Sequence, residues 1–169
     1  MSDTSDNLRG TIAGSLASQS AKTVTVLSSL LAIEDEFGYI PPEAIEEVAS
    51  FTKATINDVW GVASFYTNFR FTPPGDHVLE VCWGPTCHLL GARNIMKSIL
   101  DSLGLAEEGD TDDKTMSLKY STCLGACSQG PVIHVDGKVI GARAIGNTKG
   151  EDLVNKITEF VTNIRKGNS

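Results

Sequence analysis

The four cysteines of this chain form two pairs, and each pair follows a predicted β-strand. Cys82 and Cys87 make a C-x4-C motif after the apolar run HVLEV, and Cys123 and Cys127 make a C-x3-C motif after MSLKYS. If these two strands are parallel neighbours, both following loops leave the same edge of the sheet, because parallel strands end on the same side. Four thiolates can then converge on one site.

Several kinds of site use paired cysteines. Structural disulfides suit small secreted domains, whereas 169 residues with 41% hydrophobic content can bury a core without them. A thioredoxin-type redox site has a C-x-x-C motif, and neither pair has that spacing. Structural zinc sites accept four thiolates with ligands two to four residues apart, so both pairs lie at the wide end of the zinc range.

A [2Fe–2S] cluster matches two cysteine pairs most directly, because each of its two irons needs two thiolates. The tight C-x2-C-x2-C run of many [4Fe–4S] proteins and the plant-type C-x4-C-x2-C order do not occur in the sequence. Four glycines in these loops would allow backbone N–H groups to approach the sulfurs: Gly84, Gly91, Gly125 and Gly130. The pattern favours an iron–sulfur cluster, with zinc as the alternative and with His88 as a neighbour rather than a ligand.

The first part of the chain has the period of helices. We expect residues 1–18, which are rich in Ser, Thr and Asp, to be flexible, and residues 19–72 to form a small helical bundle. Gly38 is a predicted helix stop, and Thr55 with Asp58 resembles a capping box at the start of a further helix. The Pro-Pro-Gly sequence at 73–75 interrupts the helical pattern and marks the boundary of a second domain, residues 73–169.

The second domain is predicted as β-α-β-β-β-α. A helical stripe begins at Leu89, Asp136-Gly137 is a favoured hairpin turn, and Thr148 with Glu151 predicts the start of the last helix. The strand–helix–strand crossover gives a parallel pair, and the hairpin adds an antiparallel one. We therefore expect an α+β chain: a thioredoxin-like module with a mixed four-stranded sheet, preceded by the helical bundle.

Charge and hydropathy exclude several partners. The formal net charge of −7 leaves no basic footprint for nucleic acid. No apolar stretch is long enough to span a bilayer, and the polar start MSDTSDNLRG has no signal-peptide pattern, so we expect a cytoplasmic protein, or one peripheral to the cytoplasmic side of a membrane complex. No G-x-G-x-x-G follows a strand, so nucleotide cofactors are expected on a partner.

The cysteine motifs resemble those of a known family. CWGPTC, CLGAC and the following PVIHVDG look like the thioredoxin-like [2Fe–2S] ferredoxin family. EFGYIPPEAIEEVA and VWGVASFYTNFRFTPPG resemble the N-terminal region of its members in NADH:quinone oxidoreductase (complex I), NAD-linked hydrogenases and formate dehydrogenases, including electron-bifurcating enzymes. The resemblance covers about residues 24–145, and the stretch GARAIGNTKGEDLVNKI departs from it.

The resemblance implies an electron-transfer subunit that is not catalytic alone. One [2Fe–2S] cluster would be held by Cys82 and Cys87 on one iron and by Cys123 and Cys127 on the other. FMN and NAD would belong to a larger flavoprotein subunit, onto which the helical part docks, and further iron–sulfur subunits would accept or supply electrons. A zinc-stabilised interaction module and a free-standing mobile ferredoxin are the alternatives.

Overall fold

The computed structural model describes residues 2–19, 23–141, 143–146 and 148–167. The chain divides into two compact units, Met1–Pro73 and Pro74–Ser169, and the predicted domain boundary lies between residues 72 and 73. In the described ranges, every helix is too short or too polar to cross a lipid bilayer.

Helices make up the regular structure described for the first unit. These are α1 (Ser2–Ser18), α2 (Val26–Phe37), α3 (Pro42–Thr52) and α4 (Ile56–Phe65). Their apolar stripes meet in one buried cluster, since the period of a helix aligns residues three and four apart on one face. The fully buried members of this cluster include Ile12, Leu30, Ile33, Ile40, Val48 and Val59.

The expectation of a flexible segment over residues 1–18 is wrong, because Ser2–Ser18 forms helix α1. Ile12 and Leu16 lie one turn apart on α1 and are buried in the core of the unit. Arg9 forms ion pairs with Glu46 and Glu47 on α3. The polar composition of α1 hides this packing, because only a narrow apolar stripe is needed to hold a surface helix.

The predicted helix ends in the first unit are confirmed. Gly38 adopts a left-handed conformation, with φ of 72°, and its N–H donates to the Glu34 carbonyl. Asp58 donates its N–H to the Thr55 side chain at 3.2 Å, while the Asp58 carboxylate accepts from the Thr55 N–H, also at 3.2 Å. This reciprocal pair satisfies two N–H groups that the first turn of α4 would otherwise leave unbonded.

In the ranges described for the second unit, the chain forms a mixed five-stranded sheet and three α-helices. The strands β1 (His77–Cys82), β2 (Gly109–Asp110), β3 (Met116–Ser121), β4 (Val132–Val135) and β5 (Lys138–Gly141) lie in the order β2-β3-β1-β4-β5. Only the β1–β3 pair is parallel, and the other described pairs are antiparallel. The helices are α5 (Pro85–Leu89), α6 (Ala92–Leu103) and α7 (Gly150–Arg165), and Cys127–Gln129 forms a 3₁₀ turn. The thioredoxin-like α+β class with preceding helices agrees with the expected fold.

The predicted number of four strands is wrong by one. The added strand, β2, lies within the acidic segment EEGDTDD at residues 107–113, and it pairs with Leu118 and Ser117 of β3. Strand β2 has only two residues, Gly109 and Asp110, which is too short for an alternating apolar pattern. It can therefore be recognised only from its pairing with β3.

Two predicted helix starts also differ from the structure. The helix expected from Leu89 is interrupted, because Gly91 has a φ of 105°, which separates α5 from α6 and leaves Leu89 88% exposed. The last helix begins at Gly150 after Lys149, without a side-chain cap from Thr148.

The core of the second unit lies on one face of the sheet. Leu79, Val81 and Ile133 are fully buried against apolar side chains of α6 and α7, such as Ile99 and Ile157. Side chains alternate along a strand, so the intervening positions face the other way. There Lys119 lies 3.0 Å from Glu80. This packing fixes β1 and β3, and thereby the loops that follow them.

Candidate metal centre

The parallel pairing of β1 and β3 brings the two cysteine motifs to one edge of the sheet. Cys82 lies opposite Ser121 in the register, and the Trp83 N–H donates to the Ser121 carbonyl at 2.7 Å. Both strands therefore end at the same level. The chain continues from β1 into α5, which carries Cys87, and from β3 into the loop that carries Cys123 and Cys127.

The structure brings the four cysteine side chains together as free thiols. Cys82 and Cys87 are buried, with 2% and 1% of their surface exposed, while Cys123 and Cys127 are exposed. The Cys82 thiol is within hydrogen-bonding contact of both the Cys87 and the Cys123 thiols. Cys87 also interacts electrostatically with Cys127. The site is thus half buried and half open.

Burial and hydrogen bonds have opposite effects on the pKa of Cys82. Burial raises the pKa of its thiol, but the N–H groups of Leu124 and Gly84 donate to the sulfur and lower the pKa, as do the neighbouring thiols. The net pKa of Cys82 lies below that of an ordinary thiol. Hydrogen bonds to a sulfur stabilise its anionic form, which is the form that binds metals.

Cys87 behaves differently from Cys82. Burial raises the pKa of the Cys87 thiol to about 11, and the N–H donated by Val132 offsets only part of this rise. The neighbouring Cys82 sulfur raises the pKa of Cys87 further, because two adjacent negative charges repel each other. Of the two thiols, Cys82 therefore loses its proton more readily than Cys87.

The four glycines named from the sequence have different roles. Gly84 and Gly125 donate N–H groups to cysteine sulfurs, the latter to Cys123 at 3.4 Å. A Cβ on Gly84 would lie 3.3 Å from the Cys123 sulfur, and one on Gly130 would lie 3.5 Å from the Cys87 sulfur. Gly91 separates two helices, as described above. Three of the four glycines therefore lie against the thiols.

These residues fit a cofactor that is bound by several thiolates. A positive iron–sulfide core would be met by four sulfurs, and the surrounding N–H groups would stabilise the negative charge of the ligand set. In the part of the chain that the structure describes, no three His, Cys, Asp or Glu side chains are grouped as ligands of a single metal ion.

Aromatic side chains border the centre, and sequence reasoning did not identify them. The Trp83 ring packs edge-on against His88 and Tyr120, with both centroid distances at 4.7 Å. His88, the residue after Cys87, thus packs against the Trp83 ring. The N–H donors Leu124 and Val132 were also missed, because a backbone donor leaves no signal in the residue type.

The remaining histidines and the acidic segment have structural roles. His77 lies 2.7 Å from Asp136 at the hairpin, and His134 lies 3.9 Å from Glu80 across two strands. An acidic run such as residues 107–113 usually forms a solvated loop. Its Asp113 instead accepts hydrogen bonds from Thr111 and Thr115, as a turn residue does.

The sequence is similar to those of known proteins. The model of the thioredoxin-like [2Fe–2S] ferredoxin family matches residues 12–158. The chain is 36% identical to NADH-quinone oxidoreductase subunit 2 of Thermus thermophilus over 115 residues, which are 68% of this chain and 64% of that protein. It is 32% identical to NADP-reducing hydrogenase subunit HndA of Solidesulfovibrio fructosivorans over 80% of this chain and 77% of that one.

A solved structure also has this fold. A chain of an NAD+-reducing [NiFe]-hydrogenase in the H2-reduced state superposes with a TM-score of 0.64 and 17% identity, over 81% of this chain and 22% of that one. At this level of identity, the likeness concerns the fold alone. The family model covers both units and all four cysteines, and the chain therefore belongs to the thioredoxin-like [2Fe–2S] ferredoxin family.

Proposed function

We propose that this protein is an electron-transfer subunit that carries one [2Fe–2S] cluster on Cys82, Cys87, Cys123 and Cys127. The observation that carries the proposal is the meeting of two cysteine pairs at the common edge of β1 and β3. When bound, such a cluster accepts or donates single electrons. The protein then acts within a larger oxidoreductase and is not a catalyst alone.

The proposed cluster would have one buried and one exposed pair of cysteine ligands. Cys82 and Cys87 would anchor one iron inside the domain, while Cys123 and Cys127 would hold the other at the surface. Backbone donors at Gly84, Leu124 and Val132 would stabilise charge on the sulfurs without changing conformation. An electron would enter or leave most easily at the exposed pair.

The host assembly is proposed from the relatives. Their names describe subunits of NADH-quinone oxidoreductases and of an NADP-reducing hydrogenase. We assign this chain to an assembly of that kind, including formate dehydrogenase and electron-bifurcating types. A larger flavoprotein subunit would bind FMN and NAD and exchange single electrons with this chain, and further iron–sulfur subunits would continue the path.

The helical unit offers a surface for docking onto the flavoprotein. Trp60 and Phe71 are exposed and pack against each other with centroids 4.9 Å apart. Phe65 is 77% exposed and packs edge-on against the exposed Tyr66. Exposed aromatic groups of this kind are typical of the buried centres of protein interfaces. Phe69, in contrast, is only 6% exposed and belongs to the core.

Metal analysis of the full-length protein tests the proposal. We expect about two irons and two sulfides per chain, a red-brown colour, and an electron paramagnetic resonance signal from a one-electron-reduced cluster. Zinc without visible absorption would support the zinc module instead. Isolation without any flavin-bearing subunit would support the free-standing ferredoxin.

Serine variants test the ligands one by one. Cys123→Ser and Cys127→Ser change exposed positions, so the domain should fold while iron content falls or the visible spectrum shifts. Cys82→Ser and Cys87→Ser should do the same and should also reduce stability, since both residues are buried. His88→Ala is the control and should retain the iron. A Cys variant with full iron and an unchanged spectrum would refute that ligand.

A further inference from the structure

Two leucines beside the cysteine centre are exposed to an unusual degree. Leu89 ends helix α5, two residues after Cys87, and is 88% exposed; Leu90 follows it and is 51% exposed. The Leu90 side chain comes within 3.1 Å of the Cβ position of Gly130, which itself lies 3.5 Å from the Cys87 sulfur. Leu89 and Leu90 therefore form an exposed apolar knob at the edge of the cysteine centre.

Two neighbouring depressions adjoin this knob. One has a volume of about 450 Å³ and is bordered by Leu89, Leu90, Arg143 and Lys149, and the other, of about 540 Å³, is bordered by the same leucines and by Lys97. Single exposed apolar residues are common, but an apolar knob next to depressions is typical of binding surfaces.

The charges around the knob oppose those of the whole chain. Lys97, Arg143 and Lys149 border the depressions with Glu151 as the bordering carboxylate, whereas the chain has 14 basic and 21 acidic residues. All three cations are exposed, and none of them takes part in the ion pairs seen among the described residues. Cations without an intramolecular partner are available to carboxylates of another molecule.

We propose that Leu89 and Leu90, with Lys97, Arg143 and Lys149 around them, form the surface that docks the redox partner at the cysteine centre. The partner would present an apolar recess with carboxylates on its rim. This inference rests on the proposed electron-transfer function and adds the location and charge of the contact. An apolar centre with a charged rim gives both a short distance for the electron and an orientation.

A second copy of this chain suits the surface less well than an acidic partner. In a symmetric dimer through this face, each basic rim would meet an identical basic rim. Like charges at an interface repel, so such a dimer would lose stability as the salt concentration falls. An acidic partner would show the opposite dependence on salt.

The test uses the full-length protein with its cluster and the flavin-bearing subunit isolated from the native assembly. That subunit is reduced chemically and mixed with the oxidised protein in a stopped-flow instrument. One electron leaves the flavin-bearing subunit and reduces one ferric iron, so the visible absorption of the cluster falls. The rate is measured in about 20 mM and about 500 mM salt, where charges are screened weakly and strongly.

The triple variant Lys97→Glu/Arg143→Glu/Lys149→Glu should react about tenfold more slowly, or worse, in low salt and approach the unaltered protein in high salt. Leu89→Gln should slow the reaction several-fold at both salt concentrations, and its exposed position should leave the fold intact. The matched controls are Lys53→Glu/Lys138→Glu/Lys166→Glu and Val24→Gln, which change exposed residues elsewhere and should react at nearly the unaltered rate.

The outcomes separate this inference from the proposed function. Variants with full iron content that exchange electrons at the unaltered rate in both salts would overturn the docking surface and leave the electron-transfer function standing. A protein dimer that Leu89→Gln dissociates would also overturn it, since the face would then belong to a second copy. An unaltered protein without a cluster, or without electron exchange, would overturn the proposed function and the docking surface with it.

Discussion

At the scale of single residues, the cysteine centre depends on glycines, which have no side chain to crowd the sulfurs. Gly84 directly follows Trp83 and carries an N–H group that donates to Cys82, while its missing side chain leaves room for the Cys123 sulfur. Its φ of −62° and ψ of 156° are open to any residue. The requirement for glycine is therefore one of space, and it arises from the loop after β3 rather than from its own backbone.

Gly84→Ala should weaken the binding of iron without unfolding the protein. The added Cβ would lie 3.3 Å from the Cys123 sulfur, so that sulfur must shift by a few tenths of an ångström. Crowding of this kind typically costs about 1–3 kcal/mol. We expect faster loss of iron to a chelator and an altered visible circular dichroism spectrum.

Gly61→Ala is the matched control for this prediction. It lies within α4, where the added Cβ meets no heavy atom within 4 Å. Alanine is favoured over glycine inside a helix by about 1 kcal/mol, so stability should rise or stay equal while iron retention is unchanged. Equal iron retention in Gly84→Ala and Gly61→Ala would contradict the crowding argument.

At the scale of elements, a turn joins the sheet to the last helix. Asp113, in the turn between β2 and β3, accepts hydrogen bonds from Thr111 and Thr115, each at 2.6 Å. Arg165 at the end of α7 donates to the same carboxylate at 2.9 Å. These three side chains hold the pKa of Asp113 well below the usual carboxyl range, with the threonine hydrogen bonds as the larger cause.

Asp113→Asn should destabilise the protein at neutral pH, and the difference should shrink in acid. A carboxyl group whose pKa is lower in the folded state stabilises that state above its unfolded pKa, which is about 4. The stabilisation is lost as the pH falls below that value towards the folded pKa. Thermal midpoints of both proteins, measured from pH 7 to pH 2, should therefore converge in the acid range.

Asp112→Asn controls for the change of charge in the same turn. No hydrogen bond or ion pair from the Asp112 side chain is seen to any residue within the described ranges, so this variant should follow the unaltered protein. A constant difference between Asp113→Asn and the unaltered protein across the whole pH range would show that the carboxylate charge is not the cause.

At the scale of the whole molecule, two units each have a hydrophobic core of their own. The core of the first is formed by α1 to α4, with Leu30 and Val59 among its buried members. The core of the second lies between the sheet and helices α6 and α7, with Leu79 and Ile99 among its members. All four cysteines belong to the second unit, so the candidate site lies within one unit.

A fragment of residues 74–169 should bind iron and sulfide without the first unit. It contains the sheet, its helices and every sulfur of the site, and its visible spectrum should match that of the full-length protein. A fragment of residues 1–73 should be helical by circular dichroism and colourless. A 74–169 fragment that folds but retains no iron would show that the first unit contributes to the site.

Much of the fold follows from the sequence where local patterns and tertiary packing agree. The parallel β1–β3 pair, the Asp136-Gly137 hairpin and the capped helix at Thr55 were predicted, because each has a local signal that its neighbours do not override. Helix α1, strand β2 and the break at Gly91 were not, because partners distant in sequence or a single backbone angle decide them.

The sequence alone determined which side chains can supply thiolates and where in the chain they lie. Four cysteines in two pairs, each after a strand, are the candidate donors, since only these residues supply thiolates. Only the tertiary structure decided that one pair is buried and the other exposed, which backbone N–H groups face the sulfurs, and that Leu89 stands outside the core. These features depend on how the loops after β1 and β3 pack against each other, and that packing is a contact between residues far apart in the chain.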